Sequence, residues 1–131
     1  MKLKIRKNVL SEALNNVSKA LSSKNIVPIL SGIKFNLTKE KLILTASDND
    51  ITIQTEIEKS EDLEILKTGS IVIKGKYIID IIRKLDSEFI NMEIVDDYKV
   101  LIYTENSEFN LNGIDAREYP PIDLSLNDDF I

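Results

Sequence analysis

Apolar residues recur along this chain with two different periods. Between Asn8 and Ser23, the residues Val9, Leu10, Ala13, Leu14, Val17 and Leu21 repeat at three- and four-residue spacing, which places them on one face of a helix. Asn8 is the expected N-cap and Ser22-Ser23 the expected end. The opposite face, Ser11, Glu12, Asn15, Asn16, Ser18, Lys19 and Ser22, is small and polar with one carboxylate. A second helix is predicted over 75–85, with Tyr77, Ile78, Ile81, Ile82 and Leu85 apolar. Isoleucine is a modest helix former, so tertiary packing has to hold this segment.

Elsewhere short runs of Ile, Val, Thr and Phe lie between polar turns, the signature of strands. They are predicted at 2–6, 29–37, 41–46, 51–57, 69–73, 90–95, 99–104 and 107–112. Lys39-Glu40, Asp48-Asn49-Asp50, Asp96-Asp97 and Glu105-Asn106 supply the turns. Glu58–Leu66 reads as an acidic loop, 115–121 as an irregular segment, and 125–131 as a polar tail or the start of a linker to a second domain.

The pattern repeats. Shifted by 68, Ile5 meets Ile73, and Val9, Leu10, Ala13, Leu14 and Val17 meet Tyr77, Ile78, Ile81, Ile82 and Leu85. Shifted by 58, Leu42, Leu44, Ile51 and Ile53 meet Val100, Ile102, Phe109 and Leu111. Each half, about 1–58 and 67–113, is then a strand, a helix and three strands. Such a unit cannot bury its sheet and helix faces alone. The expectation is one α+β domain, with two adjacent helices packed on antiparallel sheets.

Composition narrows the chemistry. The 131 residues are 43% apolar and 30% charged, which suits one globular domain. Without Cys or His, disulfides, zinc–thiolate sites, cysteine nucleophiles and a Ser-His-Asp triad are excluded. No Trp and 6% aromatics weaken a binding mode built on base stacking. No apolar run approaches the roughly 18 residues that cross a bilayer, and Met1–Arg6 alternates charge with aliphatics, unlike a signal peptide.

Net charge is −5, yet its distribution is uneven. Residues 1–24 carry Lys2, Lys4, Arg6, Lys7, Lys19 and Lys24 against Glu12, a net of +5. Residues 67–84 carry Lys67, Lys74, Lys76, Arg83 and Lys84 against Asp80, a net of +4. The remaining stretches are acidic. If the two helices lie side by side, these segments form a basic stripe on an acidic body. Neither Asp48-Asn49-Asp50 nor Asp96-Asp97 opens a calcium loop, because the glycine at the sixth position and the closing bidentate Glu are missing. Lys74-Gly75-Lys76 lacks the upstream Gly and following Ser or Thr of a phosphate-binding loop.

Three stretches carry a resemblance: Val27-Pro28-Ile29-Leu30-Ser31-Gly32-Ile33, Leu44-Thr45-Ala46-Ser47-Asp48, and Asn112-Gly113-Ile114-Asp115-Ala116-Arg117-Glu118-Tyr119-Pro120. In this order, around the repeat, they resemble the N-terminal domain of the bacterial DNA polymerase III beta subunit, the sliding clamp, over residues 1–124. The resemblance implies the DNA clamp fold and one domain of a longer protein. It implies a non-catalytic, cytoplasmic processivity factor of DNA replication, with no cofactor and no membrane partner. Two such subunits would close as a homodimeric ring around duplex DNA, tethering DNA polymerase III after loading by a clamp loader. Lys24 matches a basic loop position that contacts DNA in that family. Lys19, Lys76, Arg83 and Lys84 are the expected phosphate-attracting side chains of the helices, and Glu12 weakens the stripe. Phe109, Leu111, Ile81 and Leu85 match the family's intersubunit contact. An acidic protein-interaction scaffold without DNA binding is the competing expectation; a hydrolase built on the Asp turns has no convergent motif.

Overall fold

The computed structural model describes residues 1–21, 28–48 and 51–120, with Pro28 and Leu30 described by backbone alone. Among these, the order is β1 (Lys2–Arg6), α1 (Lys7–Ser18), β2 (Gly32–Leu37), β3 (Lys41–Ser47), β4 (Thr52–Glu58), β5 (Leu63–Lys67), β6 (Gly69–Lys74), α2 (Gly75–Lys84), β7 (Phe89–Val95), β8 (Lys99–Tyr103) and β9 (Glu108–Asn112).

Several element boundaries differ from the expectation. Helix α1 starts at Lys7 directly off β1, so Arg6, not Asn8, is the N-cap, and it makes no side-chain cap bond. The helix ends at Ser18, and Ser22-Ser23 lie outside the described residues. Residues 28–31 form a 3-10 turn instead of opening the second strand, which starts at Gly32. The acidic loop contains a strand: Leu63 and Ile65 pair with Ile5 and Leu3, making β5 an extra edge against β1.

The sheets are antiparallel, one ordered β5-β1-β7-β8-β9 and the other β4-β3-β2-β6. In both, the first strand of one half sits in the sheet of the other. Lys4 pairs with Asn91, and Asn91 with Tyr103. At the corresponding places Val72 pairs with Lys34, and Lys34 with Thr45. The two sheets therefore share one register, related by a pseudo-twofold axis. The final strand is displaced from its expected alignment. Ile102 faces Phe109 while Leu44 faces Thr55, so Thr55 and Ile57, not Ile51 and Ile53, correspond to Phe109 and Leu111. The cause is length: the β3–β4 hairpin continues for two further pairs, Ala46 with Ile53 and Ser47 with Thr52. Ile51 is accordingly outside the strand and 52% exposed.

The core is one cluster in which the halves interdigitate, including Leu3, Ile5, Leu10, Leu14, Phe35, Leu44, Ile73, Ile78, Ile82 and Ile102. A smaller cluster lies on the other face of the four-stranded sheet. There Val72 is covered by Ala116 and Tyr119, and Ile114 exchanges backbone bonds with Val72.

Candidate nucleic-acid interface

Helix α1 buries Leu10, Ala13, Leu14 and Val17, and α2 buries Gly75, Ile78 and Ile82. Helical periodicity then points Asn8, Glu12, Asn15 and Lys19 of one, and Lys76, Asp80 and Arg83 of the other, away from the core. The helices pack side by side along a shallow crevice of about 80 Å³, lined by Ser11, Leu14, Asn15, Ile79, Ile82 and Arg83. Lys19, Lys76, Arg83 and Lys84 are exposed. Among the described residues none of these four forms an ion pair. Lys84 lies round the helix on the side of Tyr77. Lys24 lies outside the described residues.

The stripe is narrower than segment charge implies. Lys2, Lys4 and Arg6 alternate with Leu3 and Ile5, which are wholly buried, so the three cations occupy the opposite, outward face of the five-stranded sheet. Arg6 donates from Nε to Asp62 at 2.6 Å and also pairs with Glu88; these bonds, Asp62 first, raise its pKa. Its guanidinium stands 4.6 Å from the Phe89 ring centre, and Lys4 lies over the same ring at 5.3 Å. Lys7 donates from Nζ to the Leu85 carbonyl, closing the C-terminal end of α2. Lys74 sits over Tyr77 at 5.7 Å. What remains on the helical face is Lys19, Lys76 and Arg83, with Glu12 and Asp80 among them and Lys84 beside it on the Tyr77 side.

Strand β9 is an edge of its sheet. Phe109, Leu111 and Ile81 are half-buried and pack against the core rim. Leu85 is 1% exposed and offers a partner no surface; it plugs the end of α2 and belongs to the core. Sequence reasoning missed Tyr77, which is 51% exposed and lines an open groove of about 430 Å³ with Lys74, Asn110, Leu111 and Ile114. Its smaller counterpart Val9 is half-buried, so the period alone could not tell the two apart. Ser11 and Asn15 were visible only as members of a polar face.

The acidic turns do turn chemistry. Asp48 accepts a bond from the Ile51 amide at 2.6 Å, and Asp96 takes φ 47°, a left-handed conformation that Asp tolerates. Among the described residues no three His, Cys, Asp or Glu side chains gather as a metal site. Asp115 accepts from both the Arg117 side chain and its amide and from Tyr98 Oη at 3.0 Å; Arg117 above all holds its carboxyl well below the usual range. No described helix is long and apolar enough to cross a membrane.

Comparison with known proteins places this arrangement. Residues 1–123 match the sequence model of the family described as "DNA polymerase III beta subunit, N-terminal domain". The beta sliding clamp of Staphylococcus epidermidis is 36% identical across the whole of this chain and 36% of its own length. The DNA polymerase sliding clamp of Bacillus subtilis superposes with a TM-score of 0.90 at 38% identity, over 93% of this chain and 33% of that one. The DNA polymerase beta subunit of Streptococcus pyogenes does so with a TM-score of 0.89 at 32% identity, over 93% and 32%. The chain thus spans about a third of the length of these relatives.

Proposed function

The chain belongs to the DNA polymerase III beta subunit family, and from that premise we propose that residues 1–124 act as the N-terminal domain of a DNA sliding clamp. The carrying observation is that Lys19, at the C-cap of α1, and Lys76 and Arg83 of α2 form no ion pair among the described residues and stand on a polar helical face apart from the acids and cations of the sheets. A sliding surface has to attract phosphates in general and read no base, which Lys and Arg on helices do without base-edge contacts. In the proposed setting the longer protein forms a homodimeric ring around duplex DNA in the cytoplasm. It there tethers DNA polymerase III, is placed by a clamp loader, and catalyses nothing itself. Phe109, Leu111 and Ile81 would meet the partner subunit along β9, where unpaired backbone groups invite a further strand. Lys24 joins Lys19, Lys76, Arg83 and Lys84 as a proposed DNA contact.

The test is binding of this chain to two unrelated duplexes over a range of salt. Five phosphate contacts predict a log–log slope of roughly −4.5, the same for both sequences. A flat slope, or preference for one sequence, refutes the reading.

A further inference from the structure

The crevice between the helices straddles the pseudo-twofold axis. Under the 68-residue shift its six lining residues fall into three pairs: Leu14 with Ile82, Ser11 with Ile79, and Asn15 with Arg83. The floor pair, Leu14 and Ile82, is 2% and 1% exposed. The other two pairs stand nearer the mouth, and their chemistry breaks the symmetry. Arg83 brings a guanidinium where its counterpart Asn15 brings a neutral amide, and Ser11 brings a hydroxyl where its counterpart Ile79 is aliphatic. No carboxylate lines the crevice, and Arg83 has no ion pair among the described residues.

We propose that Arg83, Asn15 and Ser11 form a seat for one phosphate group of the duplex backbone, between the helices. This rests on the clamp reading and names the residues that grip. Arg83 supplies the charge and several donors in a fixed fork, Asn15 an amide donor, and Ser11 a hydroxyl donor; all can point at one tetrahedral oxyanion. All three donors address the oxyanion that every nucleotide carries and none addresses a base edge, so the seat is blind to sequence. The apolar floor keeps water from solvating the anion from below, which strengthens charge-assisted bonds. Two neutral donors opposite one arginine, in place of a second cation, keep the hold weak enough to release as the duplex moves. Lys76 and Lys19 add long-range attraction outside the seat.

Two measurements test it. Duplex binding over a range of salt compares the wild-type chain with Arg83→Gln, Asn15→Ala, Ser11→Ala, the double variant Asn15→Ala with Arg83→Gln, and Lys76→Gln. Arg83→Gln should flatten the salt slope by about 0.9. Asn15→Ala should weaken binding about threefold to tenfold, the scale of one hydrogen bond, with the slope unchanged because no counterion is involved. In the Arg83→Gln background Asn15→Ala should have little further effect, since both donors serve one anion. Independently, NMR titration with inorganic phosphate should move the Asn15 side-chain amide and Arg83 Nε signals, and chloride at equal ionic strength should not. Wild-type affinity in Asn15→Ala and Ser11→Ala, or additive losses, overturns the seat while Lys76→Gln still reports on the clamp surface. Phosphate-specific shifts without any duplex binding uphold the seat as an oxyanion site and defeat the clamp reading. Shifts that chloride reproduces overturn the seat.

Discussion

Replacing Ile73 by Ala tests whether the exchange of first strands makes the two halves one cooperative unit. Ile73 lies on β6, in the second half of the chain, yet it pairs with Ile33 of β2 and is 1% exposed. Its neighbours, among them Ile33, Phe35 and the start of α2, are locked in a sheet and a helix and have little freedom to collapse into the space. Removing the side chain beyond Cβ from such a site costs about 2 to 5 kcal/mol, and the poor prospects for relaxation argue for the middle of that range, about 3 kcal/mol. For a chain of this size that lowers Tm by about 10 °C. The decisive measurement is native-state hydrogen exchange. A global loss of about 3 kcal/mol speeds exchange of the most protected amides about a hundredfold. That acceleration should appear equally in β3 of the four-stranded sheet and β8 of the five-stranded sheet. Ile5→Ala, the pseudo-symmetric change in β1, should reproduce it with the sheets interchanged. Faster exchange confined to the sheet that holds the substitution would mean the sheets unfold separately, and the argument from strand exchange would be wrong.

Charge reversal at Lys76 and Arg83 together should flatten the salt slope of duplex binding by roughly 1.8, while reversal of Lys2 and Lys4, on the outward sheet face, changes net charge equally and should leave the slope nearly intact. Equal losses in the two variants would sink the helical-face assignment. Gly113→Ala would put its Cβ 2.9 Å from the Tyr98 carbonyl oxygen and 2.5 Å from Ile71 Cγ1, so thermal melting should show destabilisation of about 1 to 3 kcal/mol. Asp115 has a depressed carboxyl pKa in the fold, so its contribution is present above the ordinary Asp value of about 3.9 and lost as pH falls through the lower folded value. Asp115→Asn should therefore melt below wild type at neutral pH, and the gap should begin to narrow as pH falls below about 4 and shrink steadily in stronger acid; a gap that stays the same from neutral pH into acid refutes it.

Much of the fold was legible in the order of residues. Period-two and period-3.6 patterns are local, and they marked eight of the nine described strands and both described helices because burial in each element is read off neighbouring positions. The repeat was legible for the same reason: Leu10 and Ile78, or Leu42 and Val100, meet the same core from equivalent places. Strand β5 escaped because its inward residues number only two, Leu63 and Ile65, amid acids and an exposed Leu66. Which sheet each first strand joins could not be read at all, since β1 and β6 carry the same alternation and either pairing satisfies it. The register of the last strand hung on how far one hairpin continues, which two extra pairs decided. Leu85 looked like a contact residue until the end of α2 turned it into the core. Charge showed the limit most clearly. Summing a segment treats its cations as neighbours, but a strand sends successive side chains to opposite faces while a helix sends those one or two turns apart to the same face. Lys2, Lys4 and Arg6 were thereby parted from Lys19 and Arg83, and the surface proposed for DNA was set by packing: two helices side by side, with Asn15 and Arg83 lining one crevice.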